Sequence, residues 1–291
     1  MQDEIVLRLA NALNTQLITA EARRAERAPS PDSMDSYFQG MAWLNKGFNR
    51  NDLVRAQTYF ERALAIDPDY VDALASNAWA NVQLVVSGFA ADQRAARFAA
   101  AEAAATRALS LAPDHAGAHW AISFVYGFTN RGERAIAECE RALALDRNFA
   151  RAHGSLGMHK LHLDRAEETE AHVLEPLRLS PRGDALLYAW FAQAGFAKDY
   201  LCCYEEAVAW QMRSIDANPN YPTSHFHLAI ALAHLGRLEE ARAAARAGLA
   251  LAPHFTIASY LAANKFSDSP AHLAWRERQA DGLRKAGLPE A

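Results

Sequence analysis

Long hydrophobic runs are missing from this 291-residue chain. Its apolar stretches fall well short of the roughly 20 residues needed to cross a bilayer. The start, QDEIVLRLANALNTQLITAEARRAER after Met1, is acidic and amphipathic, unlike a secretory leader. Cysteine is scarce: Cys139 and the adjacent pair Cys202 and Cys203 are odd in number and imply no disulfide framework, which fits a reducing cytoplasm. Neither sign of charge dominates, since 30 Lys and Arg against 34 Asp and Glu leave a net charge of −4. That balance gives no basic surface for nucleic acid. Catalytic signatures are lacking as well: there is no glycine-rich phosphate loop with a following lysine and no HExxH helix. The segment HGSLG over 153–157 lacks the glycine spacing and the preceding strand of a nucleophile elbow. No catalytic residue, cofactor site or metal site is assigned.

Histidine, by contrast, is present eleven times. His119, His153 and His225 recur at one position of a repeated unit, which points to a structural niche rather than to metal. His159 and His162 have ligand-like helical spacing, but no cysteine or carboxylate partner accompanies them.

What the chain has in quantity is helical periodicity. The stretch Asn218–Phe255, NPNYPTSHFHLAIALAHLGRLEEARAAARAGLALAPHF, reads as two amphipathic helices, one ending at Gly236 and the other stopped by Pro253. The same helix ending recurs as ALAIDP, ALSLAP, ALALDR, PLRLSP, SIDANP and GLALAP, closing at 68, 113, 147, 181, 219 and 253 with spacings of 45, 34, 34, 38 and 34. The two excesses are placed in loops, around Val85–Arg97 and around Ala197–Cys203. Asp92 is read as the N-cap of a long alanine-rich helix, and Pro176 as a kink in the last helix of the fourth unit.

With Pro222 as position one, Leu228, Ala229, Leu232, Ala241, Ala245, Gly248 and Pro253 fall in the slots of the tetratricopeptide (TPR) pattern, and the chain resembles that family. The expected fold is all-α, a right-handed α-solenoid of about six helical hairpins near 33–68, 71–113, 116–147, 150–181, 184–219 and 222–253. Residues 1–32 are read as an N-terminal amphipathic helix and linker, with Ile5, Val6, Leu9, Ala10, Leu13 and Leu17 as its apolar face. That face packs on the first repeat or belongs to an upstream domain. Residues 256–291 are read as C-terminal capping helices, Leu273, Trp275 and Leu283 facing inward and Arg276, Glu277, Arg278, Asp281, Arg284 and Lys285 facing water.

By resemblance, positions 2, 5, 9, 12 and 13 of each first helix point into a concave groove. Those slots hold Trp79, Trp120, Phe124, Phe128, Met158, His162, Tyr188, Phe196 and Phe226, together with Met41 and His234. An aromatic groove of this kind is either a binding surface for a protein or peptide partner or a face buried by the winding of the chain and its N-terminal helix. Three stretches also resemble the TPR-bearing C-terminal regions of bacterial class III adenylate/guanylate cyclases and related winged-helix regulators: the N-terminal QDEIVLRLANALNTQLITAEARRAER, SIDANPNYPTSHFHLAIALAHLGRLEEARAAARAGLALAP, and DGLRKAGLPE. That resemblance implies an upstream domain in the parent protein, but no cyclase or winged-helix residue is present here. The expected function is a non-catalytic scaffold, with a cyclase-regulating segment or a small-molecule sensor as alternatives.

Overall fold

A computed structural model of the chain describes residues 16–26, 28, 31–46, 49–87, 89–179, 187–264 and 267–291. Among these every regular element is helical and there is no strand. A helical segment over 16–25 (α1) precedes α2 Ser33–Leu44, α3 Arg50–Ile66, α4 Val71–Val86, α5 Arg94–Leu111, α6 Ala116–Gly127 and α7 Gly132–Leu145. Then come α8 Ala150–His162, α9 Ala166–Leu179, α10 Leu187–Tyr200, α11 Tyr204–Ala217, α12 Pro222–His234, α13 Leu238–Leu251, α14 Ile257–Ala263 and α15 Pro270–Lys285. The helices group into two compact units. The described residues up to Leu156, with Arg178 and Leu179, form the first, and Gly157–Leu177 with Leu187–Ala291 form the second.

Local chemistry sets the helix ends. Asp32 and Asp35 form a reciprocal capping box at the start of α2, Asn49 caps α3 through the amide of Asp52, and Ser269 caps α15 just ahead of Pro270. Asp92 does not cap α5. It lies in a short 3₁₀ turn, Ala91–Gln93, and the N-cap is Gln93. α9 continues through Pro176 to Leu179.

The extra length after Val85 is shared. α4 has 16 residues against 12 in α6, and α5 has 18 against 14 in α7, with a longer connection between them. The other excess is not in the turn at 197–203. α10 runs unbroken to Tyr200, and the connection 201–203 is as short as 163–165 and 235–237. The additional residues therefore precede that turn.

In each of four hairpin turns one residue adopts the left-handed conformation: Asn130 at φ 58°, Asp164 at 63°, Cys202 at 61° and Gly236 at 77°. In the last three turns the amide of that residue and the amide of the next complete a Schellman end. For Cys202 these are its own N–H to the carbonyl of Asp199 at 3.0 Å and Cys203 N–H to Lys198 at 2.8 Å. Glycine meets this requirement freely, and Asn and Asp tolerate it, but a cysteine is strained there. Cys202→Gly should therefore stabilise the second unit by about 1 kcal/mol. A denaturant midpoint that falls or stays unchanged would refute this.

Burial follows the helical stripes with two shifts from the sequence reading. On α1, Ile18, Ala22 and Ala25 are buried while Leu17 is 53% exposed, and the other residues of the expected face lie outside the described region. α1 packs on α2: Gln39 Nε2 donates to the Ala22 carbonyl at 2.8 Å, and Arg24 pairs with Asp35 at 2.7 Å. On α15, Trp275 and Leu283 are buried but Leu273 is 43% exposed. His272 takes the inward place, its Nε2 reaching the Asn264 carbonyl at 3.0 Å, so the stripe runs through His272, Trp275, Gln279 and Leu283. Arg276 and Arg278 are half-buried rather than solvated, donating to the carbonyls of Leu261 at 2.6 Å and Tyr200 at 3.2 Å.

Candidate partner-binding face

In each hairpin the first helix carries the slots assigned to partner contact. In the first unit most of those slots belong to α4 and to α6 with its C-cap Phe128, and α4 and α6 pack against one another. Trp79 and Trp120 stack with ring centroids 5.5 Å apart, and Phe124 stands edge-on to both at 6.3 and 5.3 Å. Phe128, four residues further, stacks on Phe124 at 6.3 Å. Trp120 Nε1 donates to Ser155 Oγ at 2.9 Å, and Ser155 in turn donates to the Arg151 carbonyl at 2.8 Å. Ser155 is thus a helix residue serving a buried indole, as its packing demands.

The aromatic row is real, but most of it is interior. Trp79, Trp120 and Phe124 are no more than 7% exposed, and Met41 is buried as well. In the second unit His162, Tyr188 and Phe226 are also buried. Phe226 stacks on Phe255 at 3.7 Å, and Tyr188 lies 4.8 Å from Tyr221. Met41 aside, six of the nine assigned residues are therefore buried among packed side chains. Trp79 of α4 meets Trp120 of α6, and these large rings with Phe124 fill the space between the two helices. Phe128, Met158 and Phe196 are half-buried and keep access to solvent. Phe196 lies against the buried His227 ring, centroids 4.0 Å apart.

The recurring histidines have a specific structural task. His119, His153 and His225 each direct Nε2 to the carbonyl six residues back: Pro113 at 2.8 Å, Arg147 at 3.1 Å and Pro219 at 2.9 Å. A carbonyl can only accept, so Nε2 carries the proton in all three. Each ring thereby ties the start of a first helix to the end of the preceding hairpin. Among the described residues no three of His, Cys, Asp and Glu come together as metal ligands would. Burial pushes the Cys139 thiol up to about 12, which leaves it un-ionised and inert.

Asp199, in the last turn of α10, was not singled out by any pattern in the sequence. It is 1% exposed, accepts from Trp275 Nε1 at 3.3 Å and from Gln279 Nε2, and its Oδ1 has no hydrogen-bond partner. Burial raises its carboxyl from the ordinary 3.8 to about 6, against the opposing pull of those two donors and of Arg278.

Residues 222–255 match the tetratricopeptide repeat family model. No curated protein matches the chain. Among solved structures, the APC/C hetero-tetramer Cut9–Hcn1 superposes with a TM-score of 0.63 at 16% identity, over 90% of this chain and 48% of that one. This chain thus spans about half the length of that relative. TTC0263, a thermophilic TPR protein of Thermus thermophilus, gives 0.55 at 17% identity over 69% and 99% of the two chains. PilW, a widely conserved type IV pilus biogenesis factor, gives 0.53 at 19% over 71% and 88%. Helices in every described element, a family match at 222–255 and these superpositions lead to one statement: residues 222–255 are similar to a tetratricopeptide repeat, and the chain has the all-α fold of tetratricopeptide-repeat proteins.

Proposed function

We propose that the chain is a non-catalytic interaction scaffold whose first helices hold a segment of another protein, or of a neighbouring domain in a longer polypeptide. The carrying observation is the placement of Phe128, Met158 and Phe196. Each belongs to a first helix or its C-cap, and each keeps a half-open apolar surface. Phe128 rests on the buried Phe124, and Phe196 on the buried His227. Rigid backing of this kind lets an exposed aromatic act as an anchor with little ordering cost on binding. The reading as a cyclase-regulating segment gains no support from the family match or from the superposed structures. No helix among the described residues is long and apolar enough to cross a membrane.

The test uses peptides selected from a random library against the full chain. Phe128→Glu or Met158→Glu should weaken the selected peptides by about tenfold or more, equivalent to about 1.4 kcal/mol, with helicity and melting retained. Peptides that bind both variants as well as the original chain would refute the assignment.

A further inference from the structure

α15 lies on first helices. The Arg278 carbonyl of α15 accepts from His234 Nε2 of α12 at 2.9 Å, and His234 is itself one of the slots assigned to partner contact. A Cβ added at Gly282 would stand 3.0 Å from Ile230 Cγ2 and 3.2 Å from Ile230 Cα, so α15 approaches α12 as closely as glycine allows. Further along, Trp275 stacks on Tyr200 of α10 at 5.6 Å and donates to Asp199, and Leu283 is wholly buried in the core formed with α12. This seat is more polar than a permanent core. It encloses the Asp199 carboxylate, whose Oδ1 has no hydrogen-bond partner, and the Arg278 Nε, which likewise has none. It also encloses the weak 3.3 Å contact from Tyr260 to Gln279. Unmet buried polar groups of this kind weaken a contact relative to an apolar one of the same area.

We propose that α15 is a built-in occupant of the first-helix face of the second unit, and that the same surface takes an amphipathic partner helix bearing α15's pattern of aromatic, glycine and leucine at Trp275, Gly282 and Leu283. This rests on the scaffold reading above and names its partner as a helix rather than an extended peptide. The tether keeps α15 at a high effective concentration, so a partner helix competes only when it binds better than α15 or when α15 is loosened.

The probe is a labelled synthetic peptide of residues 267–288, added to the full-length chain. In the Trp275→Ala/Gly282→Val chain, binding by fluorescence anisotropy should be at least about tenfold tighter than in the unsubstituted chain, because the internal competitor is weakened. A peptide carrying the same two substitutions should not bind. Hydrogen exchange on the unsubstituted chain is the second measurement. α15 amides should exchange by a local opening while α10–α13 stay protected. The proposal is overturned if α15 exchanges only together with α10–α13, or if the variant chain keeps α10–α13 protected and α15 open yet takes up no peptide. Peptides weakened by Phe128→Glu, which lies in the first unit, report on the scaffold reading separately.

Discussion

Trp120→Ala should lower the stability of the first unit by about 3–5 kcal/mol. The indole is 6% exposed, stacked on Trp79, edge-on to Phe124, and 5.7 Å from Phe149. Its removal opens a cavity between α4 and α6 that the flanking rings cannot close without leaving their own contacts. It also strips Ser155 Oγ of its indole donor. The contrast is Phe128→Ala at the open end of the same row, which should cost about 1 kcal/mol or less, because a half-buried ring gives up less contact and leaves no closed void. Urea unfolding of the two variants decides between the roles. Equal midpoints for Trp120→Ala and the original chain would show that the row is an open surface and not a core.

Acidification from pH 6.5 to 5 should destabilise the second unit, and Asp199→Asn should make that decline steeper. His159 and His227 are wholly enclosed, and burial pushes each from 6.5 down to about 3; burial lowers His272 as well. A histidine whose folded pKa is depressed contributes stability above its unfolded pKa and loses it as pH falls. Asp199 acts in the opposite direction. Its folded carboxyl holds a proton up to about 6, whereas the unfolded one gives it up near 3.8, so its contribution falls as pH rises between those values.

His159 and His227 take up a proton each on unfolding and Asp199 releases one, so these histidines win by about one proton, and His272, also lowered, adds to the same side. One proton amounts to about 1.4 kcal/mol per pH unit. Asp199→Asn removes the opposing group and should roughly double the slope, to about 3 kcal/mol per unit. At pH 7 the same substitution should stabilise by about 1–3 kcal/mol. It abolishes a buried anion, and the gain is offset in part by an amide hydrogen that enters the site without an acceptor. Charged and titratable neighbours of Asp199 are Arg278, Tyr260 and Tyr204, and both tyrosines are pushed upward, so they stay neutral throughout this range. Hydrogen-exchange protection of α10–α13 measured against pH would refute this if it were flat between 7 and 5.

The helical character of the chain, the recurrence of its helix endings and the TPR resemblance of residues 222–255 were legible in the sequence alone. Periodicity and helix stops act locally: Pro253 ends a helix and Gly236 permits a left-handed turn whatever lies around them. Cys202 shows the same turn imposed on a residue that does not favour it, and nothing in the local composition announces that. Tertiary packing decided what the side chains do. Trp120, Phe124 and Phe128 lie four residues apart on one face, yet only packing of α4 on α6 makes the first two interior and leaves the third half-open. His272 rather than the expected Leu273 faces inward on α15, its imidazole reaching the Asn264 carbonyl, a partner eight residues away that periodicity does not register. Asp199 is the extreme case. Its burial is created by Trp275 and Gln279, which stand 76 and 80 residues later in the chain, so only the folded arrangement turns an ordinary helix aspartate into a buried one that holds its proton up to about pH 6.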